Sequence, residues 1–347
     1  MKKIKSIAMI IIVLSILIVA TGCGDSKPKL NVYNWGDYID MDVLDQFEDE
    51  YGIEVVYDTF ATNEDLYVKL KQGGSSYDVI FPSDYMIERM IREDLLVKIN
   101  KDNITNFQKV GQSFLNLEYD PQNEYAVPYM WGTVGIIYNK TKVSQPLDSW
   151  ADLWDPQYEG QIVMYNSQRD SLAVALLKLG YSINTRNIDE LEQAKDELIT
   201  QKPLVKAYMG DEVKGAVVSG EADVAVVYSG DAVTMIAENP DLEYVVPVEG
   251  TNLWFDSMVI PKSTQNQEGA EKFIDFMTRP DIAAKNAEYI GYSSPIPEAV
   301  ELLDEEVKND PTAYPSAEVL EKTEVFKDPM DIIKEYDRIW TEVTSQQ

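Results

Sequence analysis

The stretch Leu30-Asn31-Val32-Tyr33-Asn34-Trp35-Gly36-Asp37-Tyr38 opens with four residues that read as a strand and closes in a polar, aromatic turn. Behind it Val43, Leu44, Phe47 and Tyr51 fall on one face of a helix, Gly52 stops that helix, and Ile53 to Val56 reads as the next strand. This is a strand, helix, strand unit, and it repeats. Asn63 is placed to cap a helix bearing Leu66 and Leu70, Gly73 and Gly74 end it, and Tyr77 to Phe81 gives a third strand before Pro82. Alternation of this kind predicts an α/β protein in which a mostly parallel sheet carries helices on both faces.

A second series begins near Ile136. Strands are expected at Ile162 to Tyr165, Val224 to Val227 and Tyr244 to Val246, with helices near 171–179, 188–199, 212–219 and 231–238. Two longer apolar segments, Ala126 to Tyr138 and Leu253 to Ile260, sit where the two series meet and read as strands that cross between them. Two crossings imply a hinge. About 320 mature residues are too many for one ordinary core and suggest two lobes. Glu268 to Thr278 and Ile282 to Tyr289 are then helices that rejoin the first lobe. A final helix with Ile332, Ile333, Tyr336, Ile339, Trp340 and Val343 on one stripe is expected to pack on the second. The expected division is 30–132 with 256–300 as lobe 1, and 133–255 with 301–347 as lobe 2.

The chain starts with Lys2, Lys3 and Lys5, then runs apolar from Ile7 to Ala20 with only Ser15 interrupting, and reaches Ala20-Thr21-Gly22-Cys23. Fourteen residues are short of the about 20 a membrane-crossing helix needs. The segment 1–22 reads as a lipoprotein leader, with lipid expected on Cys23 and residues 23–29 as a tether. Ala20 departs from the Leu, Val or Ile usual at that place, so ordinary secretion with a free thiol is the alternative. The expected location is outside the cytoplasmic membrane, on the periplasmic side where an outer membrane exists.

Losing the three leader lysines leaves 27 of the 30 basic side chains against 60 acidic ones, a net charge of −33. A field of that sign repels nucleic acid and attracts cations, though it also serves simple solubility. The single cysteine is committed to the anchor, and there is no histidine. Ser-His and Cys-His catalysis and histidine zinc sites are therefore excluded, and only carboxylate or lysine chemistry is open to an enzyme. No GxSxG, GxGxxG or GxxxxGK[ST] segment occurs. Neither cofactor nor metal is expected.

Ligands of open α/β sheets gather beyond the carboxyl ends of the strands. The residues there are Trp35, Gly36, Asp37 and Tyr38; Ser83, Asp84 and Tyr85; Asp170; Tyr228, Ser229, Gly230 and Asp231; then Trp254, Asp256 and the Gly291-Tyr292 turn. Helix N-termini in such a cleft favour an anion. Here carboxylates stand in their place, with Arg169 the one basic residue in the set. Indole and phenol faces add cation–π attraction and cover methylene groups. Together they suit an alkyl chain bearing ammonium groups. Each feature has a plainer reading: Asp37, Asp84 and Asp231 as helix caps, Tyr85 and Tyr228 as packing. Tyr33, Phe47, Trp150, Trp154 and Trp340 are assigned to packing. Asp256 in an apolar strand beside Trp254 is harder to explain without a partner.

Seven segments in order carry a resemblance: Tyr33 to Tyr38, Tyr77 to Ser83, Pro128 to Gly132, Ser149 to Trp154, Lys178 to Ser182, Trp254 to Ser257 and Ile290 to Tyr292. Through them the chain resembles the polyamine-binding, spermidine/putrescine receptors of ABC transporters over essentially its whole mature length. The resemblance implies a two-lobed type II periplasmic-binding fold that closes on its ligand. It implies an aromatic box of Trp35, Tyr38, Tyr85, Tyr228, Trp254 and Tyr292, a polar contact from Ser83, and ammonium acceptors Asp37, Asp170, Asp231 and Asp256. Spermidine-preferring members tend to carry two acids after the 162–165 strand, where this chain has Ser167 and Asp170. Putrescine-preferring members tend to have Asp at the positions of Asp37 and Asp231. Tyr228 replaces the usual Trp, and a C-terminal contact falls near Phe326 or Lys327.

The expectation is a non-enzymatic, monomeric receptor that captures putrescine or spermidine and passes it to an ABC permease with its ATPase, without binding nucleic acid. The alternatives are a receptor of the same fold for another small cationic or amino-acid solute, with Arg169 as the carboxylate partner, or an extracytoplasmic hydrolase working through two carboxylates.

Overall fold

The computed structural model describes residues 27–73 and 76–345. The leader, Cys23, the start of the tether and Gly74 lie outside the described residues. No helix of the described residues is long and apolar enough to cross a membrane.

The opening stretch folds as read, with longer strands. β1 (Lys29–Trp35) leads through α1 (Met41–Tyr51) to β2 (Glu54–Phe60), and the two strands pair in parallel. Asp40 caps α1 by accepting from the Asp42 N–H, and Gly52 ends it at φ 66°, a left-handed conformation that glycine adopts without a Cβ clash. Next come α2 (Asn63–Gln72), β3 (Val79–Ile80), α3 (Asp84–Arg92) and β4 (Leu96–Val97). The cap of α2 is Thr62, whose hydroxyl accepts from the Asp65 N–H, so Asn63 is not the cap expected for it. As the first residue inside the helix, Asn63 instead sends its amide to Ser83. The strand expected at Tyr77 to Phe81 shrinks to two residues. Before it, the Asp78 carboxylate binds the Asn31 N–H at 2.9 Å and the Thr264 hydroxyl at 2.7 Å, side-chain bonds outside the ladder.

β5 (Ala126–Asn139) is buried along its whole length. It leads to β6 (Ile162–Tyr165), α4 (Gln168–Lys178), α5 (Ile188–Gln201), β7 (Val205–Met209), α6 (Val213–Val218), β8 (Val224–Tyr228), α7 (Ser229–Glu238) and β9 (Leu242–Val245). β10 (Thr251–Pro261) then returns the chain to α8 (Gln267–Met277) and α9 (Pro280–Ile290), and the described part closes with β11 (Thr323–Glu324) and α10 (Ile333–Ser345).

The strands hydrogen-bond in the order β2-β1-β3-β10-β5-β8-β6-β7. β1, β2 and β3 are parallel, as are β6, β7 and β8, while the long strands β5 and β10 run antiparallel to each other between the two groups. The two crossing segments of the sequence thus form the seam of a two-lobed type II fold. Their pairing slips by one residue between Asp256 and Ser257, and such a bulge re-aims a side chain. α8 packs back on the first group, where Phe47 meets Phe273 and Phe276 with ring centroids 5.1 and 5.4 Å apart. α10 buries Tyr336, Ile339 and Val343 against α4 and α5. β7 was not foreseen, because its half-exposed residues give a weak apolar signal.

Candidate ligand-binding site

The carboxyl ends of β1, β3, β6 and β8 and the middle of β10 open on one cavity of about 490 Å³. All eleven residues expected at the site line it: Trp35, Asp37, Tyr38, Ser83, Tyr85, Asp170, Tyr228, Asp231, Trp254, Asp256 and Tyr292. Phe326 also reaches the cavity, whereas Lys327 directs its ammonium to Glu118.

The aromatic wall is a continuous chain of edge contacts. Tyr165 meets Tyr228 at 4.6 Å, Tyr228 meets Trp254 at 5.8 Å, Trp254 meets Tyr292 at 5.1 Å and Tyr292 meets Tyr38 at 5.5 Å. Edge-to-face contacts of this kind fix ring orientation as well as burying area. Two glycines make room for it. A Cβ on Gly230 would come within 2.2 Å of the Tyr292 ring, and one on Gly132 within 2.7 Å of the Trp254 ring.

Asp256 is a buried carboxylate that faces this wall. It accepts the Ser83 hydroxyl at 2.6 Å, and burial pushes it up to about 7 against the opposing hydroxyls of Ser83 and the neighbouring Tyr38. Among the described residues the buried Trp254 indole N–H has no hydrogen-bond partner, and the buried Tyr38 hydroxyl, though beside Asp256, makes no well-formed bond. The Asn252 side-chain oxygen, also on the cavity, is unpartnered too. Buried polar groups are rarely left unpaired, so such a set on one cavity marks where a ligand or its water completes the bonding.

Asp170 sits in the first turn of α4, where it accepts the Tyr228 hydroxyl at 2.8 Å and the Asn252 amide at 3.5 Å, and burial raises its pKa. Asp231 begins α7, and burial pushes it up to about 6 while Lys214 pulls the other way. Asp37 lies in the turn after β1 at φ 45°, a left-handed position that Asp tolerates, with its side chain 75% exposed. It caps no helix there. Asp84 differs from the others: it accepts the Tyr85 N–H at 2.7 Å and the Phe255 N–H at 3.0 Å, which ties α3 to the seam. Burial pushes it up to about 8.

Arg169 is buried, and most of its guanidinium is engaged by the protein, with the buried Nε left unpartnered among the described residues. Its guanidinium lies over Phe326 at 4.3 Å, Tyr336 at 5.0 Å and Tyr85 at 5.2 Å, and it donates to the Lys327 carbonyl at 3.1 Å. It anchors the C-terminal segment beside the cavity. The expectation of a single basic residue among these strand ends is corrected by Lys214, which also lines the cavity. Lys214 and Asp211 follow β7, so missing that strand hid them. The alternation of Val205, Ala207 and Met209 before Gly210 was the available signal. Glu64, which accepts the Tyr85 hydroxyl at 3.1 Å, Asn252 and Trp340 were likewise not foreseen at the site.

The lining holds nine carboxylates, Asp37, Glu64, Asp65, Asp84, Asp170, Asp211, Asp231, Asp256 and Asp337, against the two cations Arg169 and Lys214. Helix N-termini of α3, α4 and α7 line it as well, and alone they would favour an anion. The carboxylates reverse that sign. Two groups of parallel strands joined by a pair of long antiparallel strands, with a polar and aromatic cavity at their carboxyl ends, are the architecture of a solute-binding protein.

The residues 42–315 match the family of bacterial extracellular solute-binding proteins. The chain belongs to that family. It is 39% identical over 302 residues to the spermidine/putrescine-binding periplasmic protein of Escherichia coli K12, covering 86% of this chain and 87% of that one. Among solved structures, a putative spermidine/putrescine ABC transporter protein from Listeria monocytogenes superposes with a TM-score of 0.89 at 43% identity, covering 92% of this chain and 99% of that one. The TpPotD lipoprotein of Treponema pallidum superposes with a TM-score of 0.82 at 30% identity, covering 91% and 99%.

Proposed function

We propose that the protein is an extracytoplasmic, non-enzymatic receptor that captures a polyamine, putrescine or spermidine, and delivers it to an ABC importer. The observation that carries this reading is Asp256. It is a buried carboxylate that, among the described residues, faces only the neutral hydroxyls of Ser83 and Tyr38, at the foot of a wall of indole and phenol rings. An unpaired buried charge is costly, and a ligand ammonium is the partner that relieves it. The rings cover methylene groups, and Asp170, Asp231 and Asp37 offer acceptors for a further amine. Ser83, Tyr38 and Tyr85 complete the proposed contacts. The printed names of the Escherichia and Listeria relatives agree with this solute class.

In this reading residues 30–132 and 256–300 form one lobe and 133–255 and 301–347 the other. Contacts from both lobes on one ligand stabilise the closed form, because only differential affinity shifts such an equilibrium. Lipid on Cys23 keeps the receptor beside its permease, a reading supported by the Ala20-Thr21-Gly22-Cys23 sequence and by a relative described as a lipoprotein. The engagement of Arg169 with three rings and a backbone carbonyl disfavours an amino-acid ligand.

Calorimetric titration of the purified protein with putrescine, spermidine and butane-1,4-diol tests the reading. Binding of at least one amine and none of the diol is expected. Equal binding of the diol contradicts a cation site.

A further inference from the structure

The cleft contains an ammonium of its own. Lys214, on α6, places its Nζ 3.5 Å from an Asp37 carboxylate oxygen and 3.8 Å from an Asp231 oxygen. Asp37 follows β1 in the first strand group, and Asp231 opens α7 in the second, so this one cation joins the two sides of the cavity. Asp211 closes the cluster. A Cβ on Gly36, next to Asp37, would stand 3.1 Å from the Asp211 carboxylate, so glycine there admits an acid from the other strand group.

Both distances exceed the 2.7–2.9 Å typical of a direct ammonium–carboxylate hydrogen bond. Lys214 therefore offsets one of the cluster's three carboxylate charges without being locked to either acid. Burial alone would lower its pKa, and the carboxylates of Asp231, Asp211 and Asp37 outweigh that and raise it, so it stays charged. The other acids of the cavity differ in kind. Asp256 is bonded to Ser83 and Asp170 to Tyr228 and Asn252, all neutral side chains. The cavity thus has inner acids, Asp256 and Asp170, of which Asp170 also feels the Arg169 charge, and a cluster running from the buried Asp231 out to the exposed Asp37 and Asp211, whose positive partner the chain supplies.

We propose that Lys214 is a built-in ammonium that fills the outermost amine position of the cleft, so that the receptor selects a short diamine over longer amines. The proposal rests on the polyamine reading and sets its chain length. A diamine has no charge left to place once the inner acids are served. The extra ammonium of a triamine, reaching the cluster of Asp37, Asp211 and Asp231, meets a like charge already there. Removing the Lys214 charge leaves three acids that a ligand's terminal ammonium can occupy.

Calorimetric affinities of the wild-type protein, Lys214→Met and Lys214→Arg for putrescine and spermidine test this. The expected result is a wild-type preference for putrescine, a shift of the putrescine-to-spermidine affinity ratio by at least tenfold toward spermidine in Lys214→Met, and retention of the wild-type preference in Lys214→Arg, which keeps the cation. Lys214→Gln replaces Lys214→Met if the latter does not fold. An unchanged ratio in the uncharged variant, or a wild-type protein that already prefers spermidine, overturns the proposal. Failure of the wild-type protein to bind any amine overturns the polyamine reading beneath it, an outcome distinct from an unchanged ratio.

Discussion

The Ser83 hydroxyl donates to the Asp256 carboxylate at 2.6 Å, joining the N-cap position of α3 to the bulge in β10. Ser83 forms no side-chain cap to its own helix, although serine is among the preferred caps. The hydroxyl that would satisfy a helix N–H is used to hold a carboxylate at the floor of the cavity. Asn63 supports it from behind, donating to the Ser83 oxygen at 3.0 Å.

That carboxylate makes ligand binding depend on pH. Burial holds Asp256 at about 7 in the ligand-free protein, and an ammonium ligand favours its ionised form. Protons therefore compete with ligand below this value, and affinity rises with pH through it. Putrescine affinity measured by calorimetry is expected to fall more than tenfold from pH 7.5 to pH 5.5, with binding releasing protons near pH 7. A flat profile across that window contradicts the assignment.

Stability runs the other way. Asp84, Asp256 and Asp231 have folded-state pKa values of about 8, 7 and 6, all raised above those of an unfolded chain. The unfolded chain therefore gives up their protons at lower pH than the native one, and stability is lost as pH rises from near 4 through 8. Each group contributes up to about 1.4 kcal/mol per pH unit in the range where it is protonated only in the folded state. The melting temperature of the ligand-free protein is expected to decline between pH 5 and 8, and saturating putrescine to restore more of it at pH 8 than at pH 5. A ligand effect larger at pH 5 contradicts this.

Asp84 itself is structural. Asp84→Ala leaves the Tyr85 and Phe255 N–H groups, which bind different oxygens of the carboxylate, both unpaired in the interior and is expected to cost about 2–4 kcal/mol in urea unfolding, whereas Asp84→Asn keeps an acceptor for one of the two and costs about half as much. Equal losses for the two variants contradict the role.

The aromatic wall is sensitive to a single methyl group. Gly230→Ala drives a Cβ into the Tyr292 ring, which must move from its edge contact with Trp254. A putrescine affinity reduced at least tenfold is expected in a protein that still folds. Trp254→Leu removes one cation–π face, worth roughly 0.5–2 kcal/mol, or about 2- to 30-fold in the same titration. Wild-type affinity in both variants contradicts the box.

Much of this site was legible because strand ends follow a rule. Trp35, Asp37, Ser83, Asp170, Tyr228 and Asp231 each come directly after an apolar run or open the helix behind it, and the topology brings such positions together. Trp254 and Asp256 stood out as polar and aromatic residues in a crossing strand. What escaped reading depended on packing that leaves little trace in the chain. β7 is partly exposed along an outer position of its strand group, so Asp211 and Lys214 had no strand to follow. Trp340 falls on the apolar stripe of α10 and reads as core, yet it is only partly buried, with its ring against Tyr208 and a place in the cavity lining. Thr62 and Asn63 are adjacent polar residues with similar capping tendencies, and the hydrogen bonds to Ser83 decided which of them entered the helix.

The central claim is that Asp256 receives a ligand ammonium, and Asp256→Asn tests it with little change of shape. Hydrogen bonds to charged groups contribute about 1.5–3 kcal/mol, so putrescine affinity is expected to fall roughly 10- to 150-fold. Removing a buried acid with a raised pKa is expected at the same time to hold or raise the melting temperature of the ligand-free protein at neutral pH. A folded Asp256→Asn protein that binds putrescine within twofold of wild type in calorimetric titration contradicts the account.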